Sequence, residues 1–270
     1  MKAAVLEKIT NVRDHPQPLS FVNIPAPLPA EKQILVRVSA CGVCHTELDE
    51  IEGRTPPVSF PFILGHQIVG VIEKRGPKAT RFIEGQRIGI GWIGSACGKC
   101  RYCRDGRENL CPDFKATGRD IPGGYAQYVT VAEDFAFPIP DVFSDAQAAP
   151  LLCAGAIGWR SLRLAGLKDG EPLGLTGFGA SAHLVLQLSR HRYPHSDVCV
   201  FARSERERRF ALERGACWAG DTGEKSPDKL SAIIDTTPVW KPAVKALENL
   251  APGGRLVINA IRKEDVDKDQ

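Results

Sequence analysis

Four cysteines stand within fifteen residues, Cys97, Cys100, Cys103 and Cys111, spaced C-x2-C-x2-C-x7-C. A cluster this dense must close into one short loop rather than disperse through a core. Four thiolates in a loop can surround one tetrahedral zinc and leave no position for water or substrate, so such a site is structural. A ferredoxin-like iron–sulfur cluster is the alternative, but the spacing fits the common ferredoxin patterns poorly. Basic residues between the cysteines raise the question of a nucleic-acid zinc ribbon, and Asp105 and Glu108 dilute that charge.

The rest of the composition agrees with a globular metal protein. The chain has 270 residues, with 35 basic against 32 acidic side chains and a net charge of +3. That balance argues against a nucleic-acid or membrane partner. No apolar run approaches the roughly 20 residues of a membrane span, and the first residues lack the apolar core of a signal peptide. The expected location is cytoplasmic, where nine cysteines point to metal rather than disulfides.

The texture of the chain changes near position 151. Before it, short apolar stretches such as 33–38 and 68–72 are broken by Gly and Pro, which predicts a β-rich domain over 1–150. After it, helical spacing at 151–165 is followed by predicted strands at 172–177, 198–202, 232–235 and 255–259. Predicted helices at 180–190, 205–214 and 242–250 separate them. Strands alternating with helices imply a parallel α/β sheet over 151–270. Residues 262–270 form a charged tail without a structural stop.

Three further residues have metal-ligand chemistry: Cys44, His66 and Cys153. Singly, each reads as an ordinary packed cysteine or hydrogen-bonded histidine. Together, Gly65-His66-Gln67 followed by Val69-Gly70, the Cys44-His45-Thr46 stretch, the four-cysteine loop and Cys153 resemble zinc-containing medium-chain alcohol dehydrogenases over nearly the whole chain. The resemblance implies a GroES-like catalytic domain over 1–150 and a Rossmann-type domain over 151–270. It implies two zincs per chain, one held by Cys97, Cys100, Cys103 and Cys111, the other by Cys44, His66 and Cys153 with its fourth position open. Cys41 lies nearby, but the match selects Cys44. Thr46 resembles the hydroxyl that bonds the alcohol oxygen and passes its proton outward, and Glu47 the acid that orients the histidine ligand.

Three positions qualify the match. Gln67 stands where the family usually has Glu. Asp49 stands where many members have a His that ends the proton relay, and a carboxylate with an ordinary pKa of about 4 is a poorer relay at neutral pH. Trp92 resembles an aromatic that narrows the substrate pocket, and reads equally well as a core aromatic.

Gly177, Gly179 and Ala182 fit G-x-G-x-x-A between a predicted strand and helix, a turn that admits a pyrophosphate. His45 resembles a residue that contacts the cofactor phosphates. The next strand ends in Ala202, Arg203 and Ser204. A small neutral residue followed by Arg suits a 2′-phosphate, which favours NADP over NAD. Arg208 adds a second candidate charge.

The expected activity is reversible hydride transfer between a primary alcohol/aldehyde pair and NAD(P). The alternatives are a polyol or secondary-alcohol dehydrogenase, and an inactive zinc-binding fragment. The expected partner is a small alcohol or aldehyde, with homo-oligomers in the full-length family form. The family's Rossmann sheet has six strands and about five are predicted here. The expectation is therefore a C-terminally truncated form that binds zinc, turns over poorly and exposes a sheet edge.

Overall fold

The computed structural model describes residues 1–264; the end of the charged tail, 265–270, lies outside the described residues. Contacts divide the chain into Met1–Cys153 and Ala154–Gln270. The division falls after Cys153 rather than after 150. No helix among the described residues is long and apolar enough to cross a membrane.

The first unit opens with an antiparallel pair, β1 (Lys2–Leu6) and β2 (Leu19–Asn23). There follow β3 (Gln33–Gly42), α1 (His45–Ile51), β4 (Gln67–Arg75) and β5 (Arg87–Ile90). A small lobe contains β6 (Ile93–Ser95), α2 (Arg101–Arg104) and β7 (Lys115–Ala116). The chain then adds β8 (Tyr128–Ala132), β9 (Ala136–Pro138) and the short α3 (Asp145–Ala148). The main sheet runs β8-β3-β4-β5-β9 with every pair antiparallel.

β-Branched residues make these strands, because they pack well on a pleated, half-buried surface. Ile34, Val36, Ile68, Ile88, Val129 and Val131 pack in one cluster at 3% exposure or less. β4 can lie close to β3 because Gly70 has no side chain: a Cβ there would stand 2.4 Å from the Arg37 carbonyl oxygen.

The second unit contains α4 (Ala154–Ala165), β10 (Leu173–Thr176), α5 (Ala180–Arg192), β11 (Val198–Phe201) and α6 (Glu205–Glu213). These are followed by β12 (Trp218–Gly220), β13 (Leu230–Asp235), α7 (Trp240–Leu247) and β14 (Leu250–Ile258). The sheet is parallel, in the order β12-β11-β10-β13-β14. Its central strands β10, β11 and β13 are buried on both faces, as parallel strands covered by helices must be, whereas the edge strands β12 and β14 are more open. Val198 and Val200 join Val185 and Leu186 of α5, whereas Cys199 and Phe201 face the other way and join Ala246 of α7. Each fully buried Val, Leu or Ile here contributes about 1.5–3 kcal/mol.

Three local readings of the sequence change. The predicted helix over 151–165 is interrupted. A 3-10 turn covers Ala149–Leu152, Cys153 leaves helical geometry at φ −127° and ψ −76°, and α4 begins only at Ala154. The helix predicted over 242–250 runs instead over Trp240–Leu247, because Pro242 falls within its first turn, where a missing N–H is harmless. Leu250 already belongs to β14. The three-residue β12 was not predicted: Trp-Ala-Gly is too short an apolar run, and the strand exists through its register with β11.

Candidate active site

The ligand candidates Cys44, His66 and Cys153 all lie in the first unit and come from three separate junctions. Cys44 is the N-cap of α1, directly after β3. His66 immediately precedes β4 and is 1% exposed. Cys153 sits at the helix break. Gly65 brings His66 into place at φ +97°, where a Cβ would strike the Tyr125 ring at 2.7 Å and Cys41 Sγ at 2.8 Å.

The donor atoms of the three residues lie within 4.8 Å of one another, and the two sulfurs are 4.0 Å apart. Two sulfurs bound about 2.3 Å from one tetrahedral zinc would be about 3.8 Å apart. Glu47 ties two of the donors together. Its Oε2 accepts from the Cys44 backbone N–H at 2.7 Å, and its Oε1 lies 2.6 Å from His66 Nδ1. His66 Nε2 is buried with no hydrogen-bond partner among the described residues and is left for the sulfur side of the site. Burial opposes a charge on His66, but Cys44 and Glu47 outweigh it and hold the imidazole up at about 9. Hydrogen bonding from Cys153 pushes the Cys44 thiol down to about 3, and the same bond holds the Cys153 thiol well above its ordinary value. The sulfurs thus share one charge between them, and a divalent cation is what lets both ionise. The donor set fits zinc.

Thr46 is 5% exposed and its hydroxyl oxygen is 3.6 Å from Cys44 Sγ. The Trp92 ring meets His66 edge-on, with centroids 5.0 Å apart, and Arg119 stacks on Trp92. Gln67 is 4% exposed, and a Cβ at Gly42 would press on its side chain at 3.0 Å. Asp49, on the same helix, has its carboxylate paired with Arg54. His45 is exposed at the first position of α1. Cys41 stays outside the donor group, and burial pushes its thiol up to about 12.

The sequence reading missed Glu50. It is 0% exposed, and neither carboxyl oxygen has a hydrogen-bond partner among the described residues. Burial, and then the charge of Glu47, push it up to about 8. The available signal was its spacing: Glu47 and Glu50 are three apart, so they share one helix face.

The small lobe gathers Cys97, Cys100, Cys103 and Cys111 within the same 4.8 Å limit. Cys100 caps α2, Cys103 lies on it, and Cys111 follows the 3-10 turn Glu108–Leu110. Sulfur separations of 3.5 Å (Cys100–Cys103) and 3.9 Å (Cys97–Cys103) suit a tetrahedral ion. Backbone N–H groups of Lys99 and Cys100 push the Cys97 thiol down to about 6. The Cys100 N–H donates to Cys97 Sγ at 3.3 Å and the Cys97 N–H to Cys111 Sγ at 3.4 Å.

In the second unit, the strand order reverses between β10 and β13, the switch point where open parallel sheets bind ligands. Gly177 follows β10 at φ +74°, and a Cβ there would stand 3.0 Å from Thr236 and Thr237 after β13. Gly179 caps α5 without a side-chain hydrogen bond, and Ala182 is fully buried. The first amides of α5 are therefore available to an anion. Ala202 is buried at the end of β11, and the Ser204 hydroxyl accepts from the Glu207 N–H. Arg203 is exposed with no ion-pair partner among the described residues, whereas Arg208 is spent on the carbonyls of Ala202 and Arg203 at 2.8 Å. Arg208 thus serves the loop rather than adding a second free charge. Asp235 and Lys263 were also missed: Asp235 accepts from Thr176 at 2.6 Å and Thr237 at 2.7 Å and pairs with Lys263 beside the glycine turn.

Residues 30–141 match the alcohol dehydrogenase GroES-like domain. The chain is 42% identical over 254 residues to "Probable alcohol dehydrogenase AdhA" of Mycobacterium tuberculosis, covering 92% of this chain and 73% of that protein. It is 40% identical over 275 residues to an alcohol dehydrogenase of Geobacillus stearothermophilus, covering 98% and 79%. A solved structure from Sinorhizobium meliloti 1021, described as a zinc-binding dehydrogenase bound to NADP, superposes with a TM-score of 0.84 at 29% identity, covering 97% and 77%.

Proposed function

The chain belongs to the zinc-containing medium-chain alcohol dehydrogenase family, and on that premise we propose that it transfers hydride reversibly between a primary alcohol/aldehyde pair and NADP, with two zincs per chain. The observation that carries this reading is the convergence of Cys44, His66 and Cys153 on one point, with a buried imidazole nitrogen left over. Zinc held there would supply a Lewis acid with an open position and make an alcohol proton labile near neutral pH.

The chain's own residues have separate roles. Glu47 holds His66 and Cys44 in register, so neither ligand turns away. Thr46 presents its hydroxyl beside Cys44 to bond the alcohol oxygen and take its proton at Oγ1. Asp49, three residues on and paired with Arg54, receives that proton towards solvent. Trp92, edge-on to His66, narrows the space for substrate carbon and favours unbranched primary alcohols. Gln67 is neutral, so the negative charge near the donors comes from Glu47 rather than from position 67. The four-cysteine lobe is closed and acts on stability alone.

Gly177, Gly179 and Ala182 receive the pyrophosphate. Ala202, Arg203 and Ser204 receive the 2′-phosphate, since Arg203 is uncommitted and no carboxylate stands at the end of β11. The neighbour described with bound NADP supports this choice. The test is zinc analysis together with an activity scan of alcohols, polyols and aldehydes against both cofactors. Two zincs with NADP-linked turnover of primary alcohols is the expected result. Two zincs without turnover would leave a zinc-binding protein with no dehydrogenase activity.

A further inference from the structure

Two cysteines of the second unit serve neither metal site. Cys199 lies on β11, 5% exposed, packed with Phe201, Leu230 and Ile233 on the face that meets α7. Cys217 is exposed and immediately precedes β12. The Cys217 N–H donates to the Val198 carbonyl at 3.0 Å, and Cys199 is opposed to Trp218 in the strand register. Their sulfurs are 3.8 Å apart. The two are one position out of register on strands about 4.8 Å apart with a rise of about 3.3 Å per residue, which puts their Cα atoms about 5.8 Å apart, inside the ~4.4–6.8 Å that a disulfide bridges. Among the described residues no third ligand joins them, so the pair is not a metal site.

We propose that Cys199 and Cys217 are a redox modification site that closes to an intrachain disulfide when the protein meets a small-molecule disulfide. The exposed Cys217 reacts first. Its thiolate attacks one sulfur of the reagent, forms a mixed disulfide and expels one thiolate. Cys199, as thiolate, then attacks the Cys217 sulfur, forms the internal bond and expels the second thiolate. Two protein thiols lose two electrons and two protons, and one reagent disulfide becomes two thiols.

The order of events follows from the surroundings. Burial, then the charge and hydrogen bond of Cys217, push the Cys199 thiol up to about 12. Capping Cys217 removes the second and third of these causes, so the first step prepares the second. The closed loop contains Ala202, Arg203, Ser204 and α6, and fastens the edge strand β12 to β11. This reading needs neither zinc nor bound cofactor.

The test uses the zinc-loaded chain treated with glutathione disulfide, followed by peptide mapping by mass spectrometry. Wild type should yield the Cys199–Cys217 crosslink, reversed by dithiothreitol. Cys217→Ser should yield neither crosslink nor adduct at these positions. Cys199→Ala, which keeps the core apolar, should stop at a glutathione adduct on Cys217 that outlives the wild-type adduct by at least about tenfold. A wild-type adduct as long-lived as that of Cys199→Ala would overturn the proposal, as would an unreactive Cys217 in folded protein.

Discussion

The two cysteine-rich sites of the first unit are built in opposite ways. The lobe draws all four sulfurs from residues 97–111, on short elements near the surface, and three of the four are half-buried. The other site draws Cys44, His66 and Cys153 from a helix cap, a strand entry and a helix break, and shields its histidine almost completely. A local set of four donors closes round an ion and fastens a loop. A long-range set of three leaves a coordination position free, but needs other residues to hold its donors still. Glu47 does this for two of them, and among the described residues no carboxylate does so in the lobe.

The sharpest way to break that comparison is to remove one sulfur from each site. Cys44→Ser should lower turnover on the order of a thousandfold or more, the scale of several kcal/mol of lost transition-state stabilisation, while the melting temperature changes little. Cys97→Ser should do the reverse, reducing solubility and melting temperature, because structural zinc is worth ~10 kcal/mol or more in isolated zinc-finger peptides. Zinc counting, steady-state kinetics and thermal melts distinguish the two. One zinc per well-folded wild-type chain would show that one of the sites does not bind.

A smaller effect tests the clamp itself. Glu47→Ala frees His66 and uncaps Cys44 at once, and should weaken metal binding at the three-ligand site by about 10- to 100-fold. Chelator competition should show that loss while the lobe keeps its ion. Equal loss from both sites would mean that Glu47 supports the fold and not the donors.

These differences also explain what the sequence could reveal. The lobe is legible because its donors are neighbours in the chain. The parallel sheet is legible because β10, β11 and β13 are apolar runs separated by helices. The second donor set is not, since nothing local connects Cys44 to a cysteine 109 residues away; only the resemblance joined them. The break that aims Cys153 is invisible because the helical spacing runs straight through it, and the two poor helix formers of the stretch, Gly155 and Gly158, lie inside α4 rather than at the break. Glu50 escaped because 45–50 is a polar run with nothing to mark it as buried, and only the fold shows that the acidic face of α1 points inward.

The second unit supplies a contrast in which neither metal site is touched. Ala202→Asp with Arg203→Ala should exchange a phosphate contact for a ribose contact. Losing a charge-assisted hydrogen bond costs on the order of 1.5–3 kcal/mol, so NADPH should weaken about tenfold or more relative to NADH. Zinc content should not change. A wild-type preference for NADH would remove the role assigned to Arg203.

The smallest expected effect comes from Glu50. Its folded value of about 8 stands above the ordinary carboxyl value of 4.5, first through burial and then through Glu47. Below the ordinary value both folded and unfolded chains hold the proton, and Glu50 places no pH dependence on stability. As pH rises towards 8 the unfolded chain releases the proton and the folded chain retains it, so stability falls across that window and levels off above it. Glu50→Gln keeps the shape and removes the titration, so its stability should be flatter between these limits, by about a few degrees in melting temperature. A divalent cation at the nearby donors favours the ionised carboxyl and should shrink the difference. The experiment is a set of melts across this pH range for wild type and Glu50→Gln, with zinc present and after mild chelation of the three-ligand site. The wild-type slope should be steep after chelation and shallow with zinc, and the variant should be shallow in both. Parallel curves throughout would mean that Glu50 does not sense the site that it faces.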